Sequence, residues 1–147
     1  AGGGMVSTGA ELAVAAFRRP VQAFEALAAA TEELAELARR GGFDPLPWRA
    51  GLHAGPSIAV TKDERLEYFG STVQVARRLH DLASPAGDLL ATDAAVQDPE
   101  ARRWLLSQPW SAEPFRLRMT DLGQVIGVWR LQPPHAAALE PLGRKPA

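Results

Sequence analysis

No cysteine occurs among the 147 residues, which excludes disulfides, thiolate metal ligands and a cysteine nucleophile, and fits a reducing, cytoplasmic setting. Histidine is scarce, and the three present (His53, His80 and His135) are too widely separated to suggest a local ligand pair. An excess of one charge sign is missing as well. With 16 basic and 17 acidic residues the formal net charge is -1, without the broad positive field that generic nucleic-acid binding needs. Nor is there an unbroken apolar run of the about 20 residues that cross a bilayer. The longest apolar-rich stretch, 20–40, is interrupted by Glu25, Glu32, Glu33 and Glu36, so no membrane span is expected. The opening "AGGG" has neither an initiator methionine nor the basic, apolar and small regions of a signal peptide, and reads as part of a longer polypeptide.

What remains is enough for one domain with its own core. That domain is expected over 1–131. Residues 132–147 are rich in proline and alanine, lack apolar periodicity and read as a loose tail.

Along the chain, "ELAVAAF" (11–17) has the length and composition of a buried strand. Pro20 suits the first turn of a helix, in which Phe24, Leu27, Ala28, Leu34, Leu37 and Ala38 recur at helical spacing until Arg39, Arg40 and two glycines end it. "WRAGLHAG" (48–55) and "SIAVT" (57–61) read as strands, and "DER" (63–65) as a hairpin tip before "LEYF", in a meander or bulged ribbon. Ser71 or Thr72 is expected to cap a second helix that buries Val75, Ala76, Leu79, Leu82 and Ala83. Gln74, Arg77, Arg78 and Asp81 take its opposite face. "DLLAT" (88–92) reads as a strand, and Asp98 with Pro99 opens a short helix. "EPFRLRM" and "QVIGVWRL" form a final antiparallel pair around "TDLG". The pattern predicts an α/β or α+β class, with a mixed, largely antiparallel sheet flanked by helices.

Read in order, these segments resemble the class III adenylate and guanylate cyclase catalytic domain. "VSTGAELAVAAF" is similar to the family's lysine and glycine-aspartate region before a strand ending in "VF". "GLHAGP" (51–56) resembles "GIHxGP", and "EYFGSTVQVARRL" (67–79) resembles the hallmark "DYxGxxVNxAARL". "SPAGDLLATDAAVQDP" matches the family's following strand and helix. Each piece alone is weak, but their order is specific. The resemblance implies a nucleotide cyclase-like (ferredoxin-like) fold, with the family's first strand and helices lying upstream of Ala1. It also implies head-to-tail pairing as a homodimer or as a heterodimer of cyclase domains. ATP or GTP would sit at the subunit interface with Mg²⁺ or Mn²⁺, and be converted to a cyclic nucleotide and pyrophosphate. One subunit would give two metal-binding aspartates; the other would give a lysine and an acid that read the base, and an asparagine and an arginine that steady the transition state.

Carried over residue by residue, the correspondence is uneven. The first metal aspartate would lie upstream of Ala1. The second falls on Ala10, whose methyl group cannot ligate, and Glu11 beside it should point to the other face of the strand. The base-reading lysine falls on Val6. The acid falls on Glu67, the asparagine on Gln74, one methylene longer, and the arginine is retained as Arg78. At i and i+4, Gln74 and Arg78 share one helical face.

A plainer reading places Arg78 in a solvated stripe paired with Asp81. Such a pair is worth only a few tenths of a kcal/mol and does not account for the motif around it, so an inherited site position is favoured. Glu67 reads equally as a site residue or an exposed strand residue. His53 is read as structural, Gly55 and Gly70 as turn residues, and the four tryptophans as core or partner contacts. Loss of one metal carboxylate from a two-metal site should slow the reaction at least about a thousandfold. The expectation is therefore a catalytically degenerate domain that binds nucleotide or dimerises as a regulatory module. The alternatives are an active adenylate cyclase half-site paired with a partner, or a homodimer in which Glu11 rescues the metal site. The bias of 14 arginines over 2 lysines points to a GC-rich bacterial coding sequence.

Overall fold

The structure, a computed structural model, describes the backbone of residues 3–8 and 12–134, with side chains over 12–64 and 70–134. Its centre is a four-stranded sheet in the order β3-β6-β8-β7, built from β3 (Trp48–Leu52), β6 (Ala86–Thr92), β7 (Ser111–Met119) and β8 (Gln124–Gln132). β3 and β6 run parallel, while β8 is antiparallel to both β6 and β7. Two hairpins stand apart from this ladder: β1 (Gly3–Thr8) with β2 (Ala13–Phe17), and β4 (Ile58–Lys62) with β5 (Arg65–Phe69).

The alternation of side chains along β6 divides the core in two. Leu89 and Ala91 point to one face, where α1 (Pro20–Gly41) brings Val21 and Phe24, α3 (Asp93–Val96) brings Ala95 and Val96, and α4 (Pro99–Leu106) brings Ala101. Leu90 points to the other, where α2 (Ser71–Leu82) brings Val75 and Leu79, against Val128 of β8 and Met119 of β7. A mixed, largely antiparallel sheet flanked by helices is the architecture that the segment order predicts.

Local chemistry explains most element ends. Pro20 occupies the first turn of α1, Arg39 and Arg40 lie in its last turn, and Gly42 closes it in the left-handed region at φ 66°. Asp98 accepts a hydrogen bond from the Ala101 amide at 3.1 Å and opens α4 ahead of Pro99, as read from the sequence. Gly87, at φ 87°, sits where the β3–β6 register slips between Trp48 and Arg49.

Several expectations need correction. Gly3–Thr8 is a strand, and its partner β2 alternates between exposed and half-buried positions instead of being buried, because the β1–β2 hairpin lies outside the central sheet. The β4–β5 ribbon is a regular hairpin without a bulge, closed by Asp63 and Glu64 at φ 50° and 63°. Gly70, not Ser71 or Thr72, is the N-cap of α2. Leu37 and Leu82 are 54% and 47% exposed, whereas the residues that follow them, Ala38 and Ala83, are each 3% exposed and take the buried side. β3 ends at Leu52, leaving His53 in the loop that follows. β8 runs to Gln132, close to the predicted boundary at Leu131, and residues 135–147 of the predicted tail lie outside the described residues.

Candidate functional site

The placement of α2 is fixed by two close approaches from the β3 side. At Gly51 a side chain would collide with the Ala76 carbonyl oxygen and the His80 amide nitrogen, and would come within 2.9 Å of Leu79 Cβ. Only glycine lets the strand and helix backbones meet this closely. One turn of loop further on, a Cβ at Gly55 would lie 2.7 Å from Thr72 Oγ1, and that hydroxyl donates to the Pro56 carbonyl. "GLHAGP" is therefore a docking segment for the first turns of α2. Gly55 serves close approach, whereas Gly70, at φ 124°, makes the turn into the helix.

With Val75 and Leu79 buried against the sheet, Gln74 and Arg78 project from α2 into solvent one turn apart. Among the described residues, neither side chain has an ion pair or hydrogen bond. The Asp81 carboxylate, three residues on from Arg78, is instead 3.1 Å from His80 Nδ1. The structure thus brings Gln74 and Arg78 onto one free polar face. Glu67 lies on β5, opposite Val60 of β4 and three residues before the N-cap of α2; its side chain is outside the described ones. β1 runs beside β5, and Val6 is the extra residue where the β1–β2 register slips between Met5 and Ser7. The backbones at Val6 and Glu67 therefore belong to neighbouring strands. Ala10 and Glu11 lie outside the described residues. Among the described residues no group of three or more His, Asp or Glu converges.

His53 is half-buried, and its Nδ1 lies 2.7 Å from Thr92 Oγ1. Burial pushes its pKa below 6.5, favouring the neutral ring. This is the structural role read from the sequence. The tryptophans are half-buried and pack against the core: Trp104 stacks on Phe24 at 6.5 Å and meets Trp110 edge-on at 5.4 Å, while Trp48 and Trp129 pack on the same cluster.

Two features escaped the sequence reading. The first is Asp88, 1% exposed, whose Oδ2 accepts from the Ser84 amide at 3.1 Å and from Arg130 Nε at 3.1 Å. The second is a cleft of about 350 Å³ at the carboxyl ends of β3 and β6, whose walls include His53, Ser71, Asp93 and Ile126. A glycine inside a strand, Gly127, was its one visible sign.

A scan against protein-family models matches none, and a search of curated proteins finds no match. Among solved structures, the chain is similar to the crystal structure of an adenylate/guanylate cyclase/hydrolase from Silicibacter pomeroyi. The superposition has a TM-score of 0.69 at 23% identity, and covers 90% of this chain and 74% of that one. The chain therefore has an adenylate/guanylate cyclase-like fold.

Proposed function

We infer that this chain is a class III cyclase-type domain in signal transduction, with the transition-state half of the site retained on α2 and the metal-binding half degenerate. One observation carries the reading. The motif residues Gln74 and Arg78 stand one turn apart on an exposed face of a helix that Gly51 and Gly55 lock onto the sheet, without partners among the described residues. A guanidinium held this way can donate to oxygens on which negative charge accumulates, and the Gln74 amide can add a second donor. Glu67, at the head of the same motif, is the base-reading residue. Ala10 supplies no ligand at the second metal position, so the domain is a nucleotide-binding or regulatory dimerisation module and its homodimer is inactive.

The free state of Gln74 and Arg78 also supports a second reading: the pair can be offered to a composite ATP or GTP site whose partner subunit brings the carboxylates. Val6, which has no donor at the lysine position, weighs against it. Calorimetric titration of the full-length protein with non-hydrolysable ATP and GTP analogues tests the binding reading. Saturable binding weakened at least about tenfold by Arg78→Ala supports a nucleotide module. Absence of binding to either analogue, with a concentration-dependent dimer in sedimentation, leaves the dimerisation module alone; absence of both refutes the proposal.

A further inference from the structure

The cleft at the carboxyl ends of β3 and β6 is separate from the face bearing Gln74 and Arg78, neither of which lines it. Open α/β sheets commonly take ligands at this position, beyond the ends of parallel strands, and its volume of about 350 Å³ is within the range of small-molecule sites. The walls are asymmetric. Val75, Leu122 and Ile126 supply an apolar side, and Asp93 carries the only formal charge among the lining residues while His53 is held neutral.

Asp93 is set in place from two directions. Trp129 Nε1–H donates to its Oδ1 at 2.7 Å, and its Oδ2 is pressed against Gly127, where any Cβ would collide with the carboxylate. Trp129 and Gly127 thus fix the carboxylate on the rim of the cleft while Oδ2 has no hydrogen-bond donor among the described residues. A helix-dipole role at the start of α3 would account for an acid here, but not for the indole clamp or for a strand glycine that leaves it room. No lysine or arginine is among the lining residues to repel a cation.

We propose that this cleft binds a small organic cation, its ammonium or amidine group on Asp93 and its apolar body against Val75, Leu122 and Ile126. The proposal does not depend on the cyclase reading, since none of its residues belongs to that motif's polar face. The test uses the intact chain and three probes of matched size: benzylammonium, benzyl alcohol and benzoate. Each is titrated while the Trp129 indole N–H is followed by NMR, the signal being assigned with Trp129→Phe. Benzylammonium should shift that signal saturably and bind at least about fivefold more tightly than benzyl alcohol, with no saturable shift from benzoate. Asp93→Asn should remove the preference for benzylammonium over the alcohol, and Ile126→Trp, which fills the apolar side, should weaken both. If Asp93→Asn does not fold, the Ile126→Trp titration and the benzoate comparison still decide. No saturable shift with any probe, benzoate binding as well as benzylammonium, or an unchanged preference in Asp93→Asn would overturn the proposal.

Discussion

Replacing Gly51 by alanine should be among the most damaging single-methyl changes in this domain. The added Cβ would overlap the Ala76 carbonyl oxygen and the His80 amide nitrogen, both backbone atoms of α2, and stand 2.9 Å from Leu79 Cβ. None of these can rotate away. Ordinary van der Waals contact begins near 3.4 Å, so the helix must withdraw by at least about half an ångström, and further at the two backbone atoms. Withdrawal loosens Leu79 and Val75, 0% and 6% exposed, from the sheet. Overpacking of this kind costs about 1 to 3 kcal/mol, and backbone neighbours place this case at about 3. That is a large share of the about 5 to 15 kcal/mol by which a domain is stable. Urea unfolding followed by tryptophan fluorescence reads the loss as a lower midpoint at unchanged slope. Gly55→Ala is the control. Its methyl meets a movable hydroxyl, Thr72 Oγ1, so the change should cost about 1 kcal/mol, the worth of the hydrogen bond to Pro56. A Gly51→Ala midpoint within about 0.5 kcal/mol of the parent would refute the close-approach argument.

Three further outcomes follow from particular contacts. Arg130→Leu strands the buried Asp88 carboxylate and should cost about 3 kcal/mol; Asp88→Asn leaves an arginine already 43% exposed to return to water and should cost less, and the opposite order in urea melts would contradict the assignment. Because burial lowers the His53 pKa below 6.5, the unfolded chain binds the extra proton first; stability should be full above about pH 6.5 and fall as pH drops below it, with a shallower slope in His53→Gln. An unchanged slope in that variant would sink the linkage. Arg78→Ala and Gln74→Ala should each leave stability within about 0.5 kcal/mol of the parent, since both side chains are exposed and without partners among the described residues; a larger loss would show that they hold the fold together.

The elements that were legible in the sequence are those fixed by neighbours in the chain. Pro20 and the paired arginines mark α1, Asp98 with Pro99 marks α4, and the β7–β8 hairpin follows from two alternating runs around a turn ending at Gly123, in the left-handed region. What escaped depends on distant partners. Nothing local tells that β2 pairs with β1 outside the central sheet, or that Leu82 is exposed while Ala83 takes the buried side. Thr72 resembles a cap by composition, yet its hydroxyl is drawn to Pro56, sixteen residues earlier, and the cap falls to Gly70. In the candidate site, the i, i+4 spacing foretold that Gln74 and Arg78 share a free face. The cleft was hidden because His53, Asp93 and Ile126 come from three separate segments.

Cyclic nucleotide formation tests the proposal of a retained α2 half and a degenerate metal half. The full-length protein would be incubated with ATP or GTP and manganese, alone and beside an intact cyclase domain that carries both metal aspartates. No cyclic nucleotide should form from the protein alone. Product from the protein alone that disappears in Arg78→Ala would contradict the proposal.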